Sequence, residues 1–213
     1  MDKIPFRYEG RTVLAIGAHP DDIELGMGGT AARLQRAGAR LVMVVACVPS
    51  QYETRVAEAN KGAEILGGEL RILFNHHCSR VEDVKTYELV KQLDDLMKEL
   101  QPAAMFTHGP SDFHWDHTLL YNACQSAQRL GAVDFFCYYP TSCRPVPVKF
   151  HPQVFVDISE TMEIKMQAIQ AHPSQFGGRG LGTDFFRELA HEYGRLTGVA
   201  YAEGLEVAHM MLA

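Results

Sequence analysis

Thr12-Val13-Leu14-Ala15-Ile16-Gly17-Ala18-His19-Pro20-Asp21-Asp22 decides how the rest of the chain is read. Thr12 to Gly17 has the apolar content of a buried strand, and it runs directly into an imidazole and two carboxylates. In open α/β sheets ligands bind outside the carboxyl ends of the strands, so this cluster falls where a site belongs. Pro20 restricts the backbone, which helps His19 and Asp22 turn toward one point.

Working outward, strand-like runs alternate with amphipathic stretches. Strands are expected at Leu41 to Val48, Arg71 to Phe74, Ala103 to Thr107, Val133 to Tyr138 and Val154 to Ile158. Helices are expected from near Gly28 to Ala37, closed by Gly38, and over Ser50 to Leu66, Val84 to Leu100, Thr118 to Leu130 and Thr161 to Ala171. This alternation predicts a Rossmann-like, doubly wound, mostly parallel sheet with helices on both faces, formed by one domain over residues 1–213. Pro140 to Pro152 reads as an extended loop because its prolines cannot donate to a central ladder. Beyond His172 the glycines make the tail turn-rich, with room for a helix over Phe185 to Leu196.

Composition narrows the function classes. Apolar residues make up 46% and charged residues 22%, as in soluble globular domains. A net charge of -6 gives no basic footprint for nucleic acid or anionic membrane, so a small-molecule ligand is expected. The five cysteines include no CxxC pair and read as reduced thiols. With no apolar leader at residues 1–10 and no run near the roughly 20 apolar residues of a membrane span, a cytoplasmic location is expected. Met210-Met211-Leu212 permits packing against a second copy.

A second polar cluster, Ser111-Asp112-Phe113-His114-Trp115-Asp116-His117, follows the strand Ala103 to Thr107 and precedes a helix. In a parallel sheet both clusters emerge at the same edge and can converge. Aspartates after a strand often only cap the next helix, but two convergent His/Asp clusters are a rarer pattern. Catalytic zinc takes three protein ligands, and His19, Asp22 and His117 supply them. Asp21 is then free to accept a proton, His114 to act as acid or oxyanion stabiliser, and Asp116 to orient His114. His76-His77-Cys78, His151, His191 and His209 read as structural or surface residues; His108 has slightly more claim, since it shares a strand end with His114.

Ala18-His19-Pro20-Asp21-Asp22-Ile23-Glu24, together with Asp112-Phe113-His114-Trp115-Asp116-His117, resembles the PIG-L/LmbE-like family. The likeness continues through Gly28-Gly29-Thr30, Arg55 with Glu58, Val156-Asp157-Ile158, Lys165, Ala171-His172, Ser174-Gln175 and Tyr201-Ala202-Glu203. It implies a zinc-dependent N-deacetylase of amino-sugar conjugates, other divalent ions being possible. It gives the ligand roles to His19, Asp22 and His117, the base role to Asp21 and the acid or oxyanion role to His114. Arg55 resembles the family's substrate-contacting arginine, and His172 is placed at the site. Residues 134–152 carry no familiar pattern.

Two other classes compete. Gly26-Met27-Gly28-Gly29-Thr30-Ala31 satisfies the G-x-G-x-x-A turn of a nucleotide-binding enzyme. That fingerprint, however, needs its first glycine directly after strand one and an acid ending strand two, whereas here His19 to Asp22 intervene and Cys47 to Ser50 offer no acid. The glycines instead let a helix pack on the sheet and the metal loop turn. A non-catalytic sugar-binding protein would lack a base or an acid, and both are present.

Overall fold

The computed structural model describes residues 7–75, 77–139, 149–177 and 182–211. Its strands are β1 (Thr12–Gly17), β2 (Arg40–Val45), β3 (Glu69–Ile72), β4 (Ala104–Thr107), β5 (Asp134–Tyr138), β6 (Val154–Asp157) and β7 (Ala202–His209). They form one seven-stranded sheet in the order β3-β2-β1-β4-β5-β7-β6. The first five run parallel; β7 is antiparallel to both β5 and β6.

Helices cover both faces, as the alternating pattern predicts. α1 (Asp22–Arg36), α2 (Tyr52–Leu66), α5 (Met162–Gln170) and α7 (Asp184–Thr197) lie with one apolar cluster that includes Val13, Ala15, Phe106 and Phe136. α3 (Thr86–Leu100) and α4 (Trp115–Ala127) cover the other, around Leu14, Ile16, Val44 and Met105. Alternate residues of β1 thus feed opposite cores, as a strand's period of two requires. A short helix, α6 (Pro173–Phe176), follows α5. No helix of the described residues is long and apolar enough to cross a membrane. Cys47, Cys78, Cys124 and Cys137 are free, while Cys143 lies outside the described residues.

The chain leaves β1 toward β2 on one side and reaches β4 on the other, so the order reverses between β1 and β4. That reversal opens a crevice at their carboxyl ends. The two polar clusters follow these two strands.

Three expectations about elements are corrected. First, α1 begins at Asp22 instead of near Gly28, so the glycines lie inside a helix. A Cβ on Gly26 would stand 2.3 Å from the Tyr138 ring and one on Gly29 2.7 Å from Ile158. The Gly26-Met27-Gly28 stretch is therefore helix backbone pressed against neighbours, which removes the loop that a nucleotide phosphate would need. Turning falls instead to Asp21, with φ 99°.

Close approach has a second consequence, because α1 breaks at Met27 (φ -147°, ψ 22°). The break is stitched from outside the helix. Gly29 and Thr30 donate backbone N–H groups to Glu203 on β7, at 3.1 and 2.6 Å, and Lys165 Nζ on α5 donates to the Leu25 carbonyl at 2.8 Å. Lys165 and Glu203 also pair directly at 2.5 Å. Buried polar groups freed by a kink require such partners.

Second, α4 begins at Trp115 instead of Thr118, which puts His117 in its first turn. Third, the tail read as turn-rich contains β7. Gly204, which looked like a breaker, lets the strand pass Pro152, whose Cβ would meet an added Cβ at 2.8 Å. Of the predicted loop at 140–152, residues 140–148 lie outside the described residues.

Candidate metal centre

Asp22 is the centre of the crevice. Its Oδ2 accepts the His19 backbone N–H at 2.8 Å and stands 3.7 Å from His19 Nδ1, while its Oδ1 stands 3.5 Å from His117 Nε2. All three residues are buried. Burial would raise the Asp22 carboxyl, but His117, His108 and His19 hold it well below the usual carboxylate range.

The far nitrogen of each imidazole is held by a carboxylate. His19 Nε2 meets Asp116 Oδ2 at 2.8 Å, and His117 Nδ1 meets Asp112 Oδ2 at 2.9 Å. Asp116 is fixed in turn by the backbone N–H groups of Val81 and Glu82, both at 3.0 Å. Although burial opposes it, these partners keep Asp116 below its ordinary pKa. Burial lowers the His117 pKa, favouring its neutral form.

This corrects one expectation. Asp116 was expected to orient His114, yet its carboxylate is on His19, since the first turn of α4 aims it inward at the loop after β1. What ties it to His114 is backbone: the Asp116 N–H donates to His114 Nδ1 at 3.3 Å. His114 therefore caps α4 and carries its proton on Nε2. Its exposed ring stacks on His117, with centroids 4.4 Å apart.

Asp21 lies beside the cluster in a left-handed conformation that side chains rarely adopt. Burial and the Asp22 carboxylate push its pKa up to about 7, against Arg55 and His172. Arg55 is buried; its Nη2 donates to the Pro20 carbonyl at 2.9 Å and lies 3.8 Å from Asp21 Oδ1. Within the chain its contacts are to the loop. His172 is also placed behind the centre: wholly buried, with Nε2 3.2 Å from Glu24 Oε1. α5 ends there, and the Glu24 carboxylate with the His172 ring fills the space left by Gly62 on α2, where an added Cβ would stand 2.2 Å from Glu24 Oε1 and 3.2 Å from His172 Nε2.

Two further residues matter to which no role is assigned from the sequence. Asp112 holds His117 through Oδ2 and accepts the His114 backbone N–H through Oδ1 at 3.0 Å. Its signals are a place in the motif at 112–117 and a carboxylate five residues before His117. His108 is fully buried, with Nε2 3.3 Å from Asp22 Oδ2.

Among the described residues two overlapping groups have donor atoms close enough for one ion: His19, His114 and His117, and Asp22, His108 and His117. Neither is His19, Asp22 and His117 together, although each group shares two members with that set. His108 Nε2 already accepts the Ala18 backbone N–H at 3.1 Å, so its lone pair is spent. Ligand atoms about 2.0–2.2 Å from one tetrahedral zinc stand roughly 3.3–3.6 Å apart. Asp22 stands 3.7 Å from His19 through Oδ2 and 3.5 Å from His117 through Oδ1, each near that spacing but through a different oxygen. One carboxylate and two imidazoles are also the borderline donor set that zinc prefers.

Fold and site together define a Rossmann-like α/β protein with an imidazole–carboxylate centre at its topological switch point. More particularly, the chain belongs to the PIG-L family, described as GlcNAc-PI de-N-acetylase, whose model matches residues 14–128. It is 31% identical over 172 residues to YaiS of Escherichia coli K12, described as an uncharacterized deacetylase, covering 76% of this chain and 90% of that protein. It is 28% identical over 221 residues to the diacetylchitobiose deacetylase of Thermococcus kodakarensis, covering 92% and 82%. The solved structure of GalB, the 4-carboxy-2-hydroxymuconate hydratase of Pseudomonas putida KT2440, superposes with a TM-score of 0.79 over 95% of this chain and 98% of that one. At 21% identity this likeness shows the fold alone.

Proposed function

We propose that the chain is a zinc-dependent hydrolase that removes the N-acetyl group from an amino sugar or amino-sugar conjugate. The observation that carries this is the paired arrangement at Asp22: His19 and His117 each turn one nitrogen toward it and have the other fixed by a carboxylate. Imidazole ligands are typically oriented this way by an outer carboxylate. The amino-sugar part is supported by the family description and by the relative that acts on diacetylchitobiose.

His19, Asp22 and His117 would hold the metal. When bound, zinc supplies Lewis acidity that polarises an amide carbonyl and acidifies water. Asp21 takes the proton from the attacking water, a task suited to a carboxyl whose pKa is about 7. Arg55 keeps Asp21 in place through its contacts with the Pro20 carbonyl and the Asp21 carboxylate. His114, with its proton on Nε2 and its ring open to solvent, donates to the developing oxyanion or to the departing amine nitrogen. The products are acetate and the free amine.

The test is metal analysis of the pure protein combined with amine release from a panel of N-acetylated amino sugars. Asp21→Asn should retain zinc and lose most turnover, whereas His117→Ala should lose both. A protein that holds no divalent ion, with Asp21→Asn as active as wild type, would show the reading to be wrong.

A further inference from the structure

His108 immediately follows β4, and its side chain is wholly buried. It has no part in the chemistry proposed above. Packing alone does not call for an imidazole there, because burying polar nitrogens costs free energy that an aliphatic side chain would avoid. Its Nδ1 lies 3.6 Å from Asp112 Oδ2, beyond ordinary hydrogen-bond length.

What the ring does match is His117. The two imidazoles are nearly parallel, with centroids 3.8 Å apart and an interplanar angle of 14°. They are also in register. His117 has Nε2 3.5 Å from Asp22 Oδ1 and Nδ1 2.9 Å from Asp112 Oδ2. His108 has Nε2 3.3 Å from Asp22 Oδ2 and Nδ1 3.6 Å from Asp112 Oδ2. Corresponding nitrogens of the two rings therefore face the same two carboxylates. His114 stacks on His117 as well, at 4.4 Å and 18°. One face of an imidazole cannot hold two rings at these distances. The buried His108 and the exposed His114 thus take opposite faces, and the three rings form a column from the core to solvent.

The base of this column is itself fixed. His108 Nε2 accepts the backbone N–H of Ala18, the residue before His19, at 3.1 Å. Tyr138, the last residue of β5, meets the ring edge-on, with centroids 5.0 Å apart. Its hydroxyl lies 3.3 Å from His108 Nε2 and donates to the Ile16 carbonyl at 2.8 Å. His108 thereby links the loop that carries His19 and Asp22 to the ring of His117. A carboxylate at one edge, as Asp112 provides, leaves an imidazole free to tilt about that contact. A parallel ring on a fixed base removes the tilt.

We propose that His108 is a positioning residue for the deacetylation, fixing the plane and register of His117 and, through the column, the place of His114. This rests on the deacetylase reading for the roles of His117 and His114.

Three variants separate the two contacts. His108→Leu removes both the flat face and the acceptor, His108→Gln keeps an acceptor for Ala18 without the ring, and His108→Phe keeps a flat ring without the acceptor. In competition with a chelator, the Leu and Gln variants should bind zinc about 10- to 100-fold more weakly, as when a group that orients a ligand is lost. At saturating zinc their kcat should fall about 100-fold with KM within about twofold of wild type, as for a misplaced catalytic group. Cobalt(II) in place of zinc should show altered ligand-field absorption, which reports coordination geometry. His108→Phe should lie between these variants and wild type in all three readouts.

A His108 that only fills space would give the reverse: lower stability in urea, with zinc affinity, cobalt spectrum and both kinetic constants unchanged. That result, in whichever of the variants folds, would overturn the proposal. If zinc binds and amine is released but the variants match wild type, the reaction reading stands and the positioning role fails. If the wild-type chain holds no divalent ion, the reaction reading fails and the column is judged by proton NMR of the histidine rings. His108→Gln should then shift the His117 ring protons by removing a neighbouring ring current, and unmoved resonances would refute the column.

Discussion

The Asp116 carboxylate meets His19 Nε2 at 2.8 Å, on the edge of the imidazole opposite the nitrogen that faces Asp22. Because the same carboxylate accepts N–H groups from Val81 and Glu82, it locks His19 to a third loop. Asp116→Asn should weaken zinc binding by about 10- to 100-fold, as loss of an outer carboxylate generally does. Competition with a chelator of known affinity measures this; an unchanged zinc affinity would mean that His19 is oriented without Asp116.

Asp21 combines backbone strain with a mostly shielded carboxyl. Glycine adopts φ 99° without steric cost, and a non-glycine residue in such a region costs on the order of 1–3 kcal/mol. Asp21→Gly should therefore unfold at higher denaturant than wild type, by about 1 kcal/mol after glycine's own entropy cost, while losing most activity. Urea titration beside an amine-release assay checks both halves. A less stable Asp21→Gly would show that the turn is not strained.

Gly26 is packed so closely that Gly26→Ala must move the Tyr138 ring. That ring is wholly buried and its hydroxyl donates to the Ile16 carbonyl at 2.8 Å, so it has little room to yield. A loss of about 1–3 kcal/mol is expected, as for overpacked cores. Gly28→Ala would place its Cβ 3.2 Å from Lys165 Cγ, a milder overlap than the 2.3 Å at Gly26, and should cost less. Equal effects in thermal unfolding would contradict the packing account.

His172 and Glu24 make stability depend on pH. Burial would lower the His172 pKa, but Glu24, with Asp21 and Glu58 behind it, raises it above the usual value. A histidine whose folded pKa exceeds its unfolded one stabilises fully below the unfolded pKa, about 6.5, and loses that contribution as pH rises through the folded value. Wild-type stability should thus fall from pH 6 upward more steeply than that of His172→Gln, as measured by urea unfolding at each pH. Parallel curves would exclude a charged His172.

The sheet and the site were legible in the sequence to different depths. Apolar runs followed by His19-Pro20-Asp21-Asp22 and by His114 to His117 placed β1, β4 and both polar loops at one edge, because strand period and parallel topology are local rules. α1 was read six residues short, since Gly26, Gly28 and Gly29 look like breakers until Tyr138, Ile158 and Lys165 are seen pressed against them. The direction of Asp116 was unreadable for a related reason: whether a side chain meets His114 or His19 depends on where the loop of Val81 and Glu82 passes. Arg55 and His172 are tied to the site through resemblance, and only packing shows Arg55 on the Pro20 carbonyl and His172 on Glu24 of α1.

β7 lies between β5 and β6, and Glu203 on it closes the break in α1 across 174 residues of chain from Gly29. During synthesis the residues of the metal loop leave the ribosome long before the carboxylate that steadies their helix. The break in α1 can thus be closed only late, by a contact of very long sequence separation, of the kind that slows folding. Until β7 inserts, a nascent chain exposes an unfinished α1 and the open edge of β5, the state in which a chaperone would meet it.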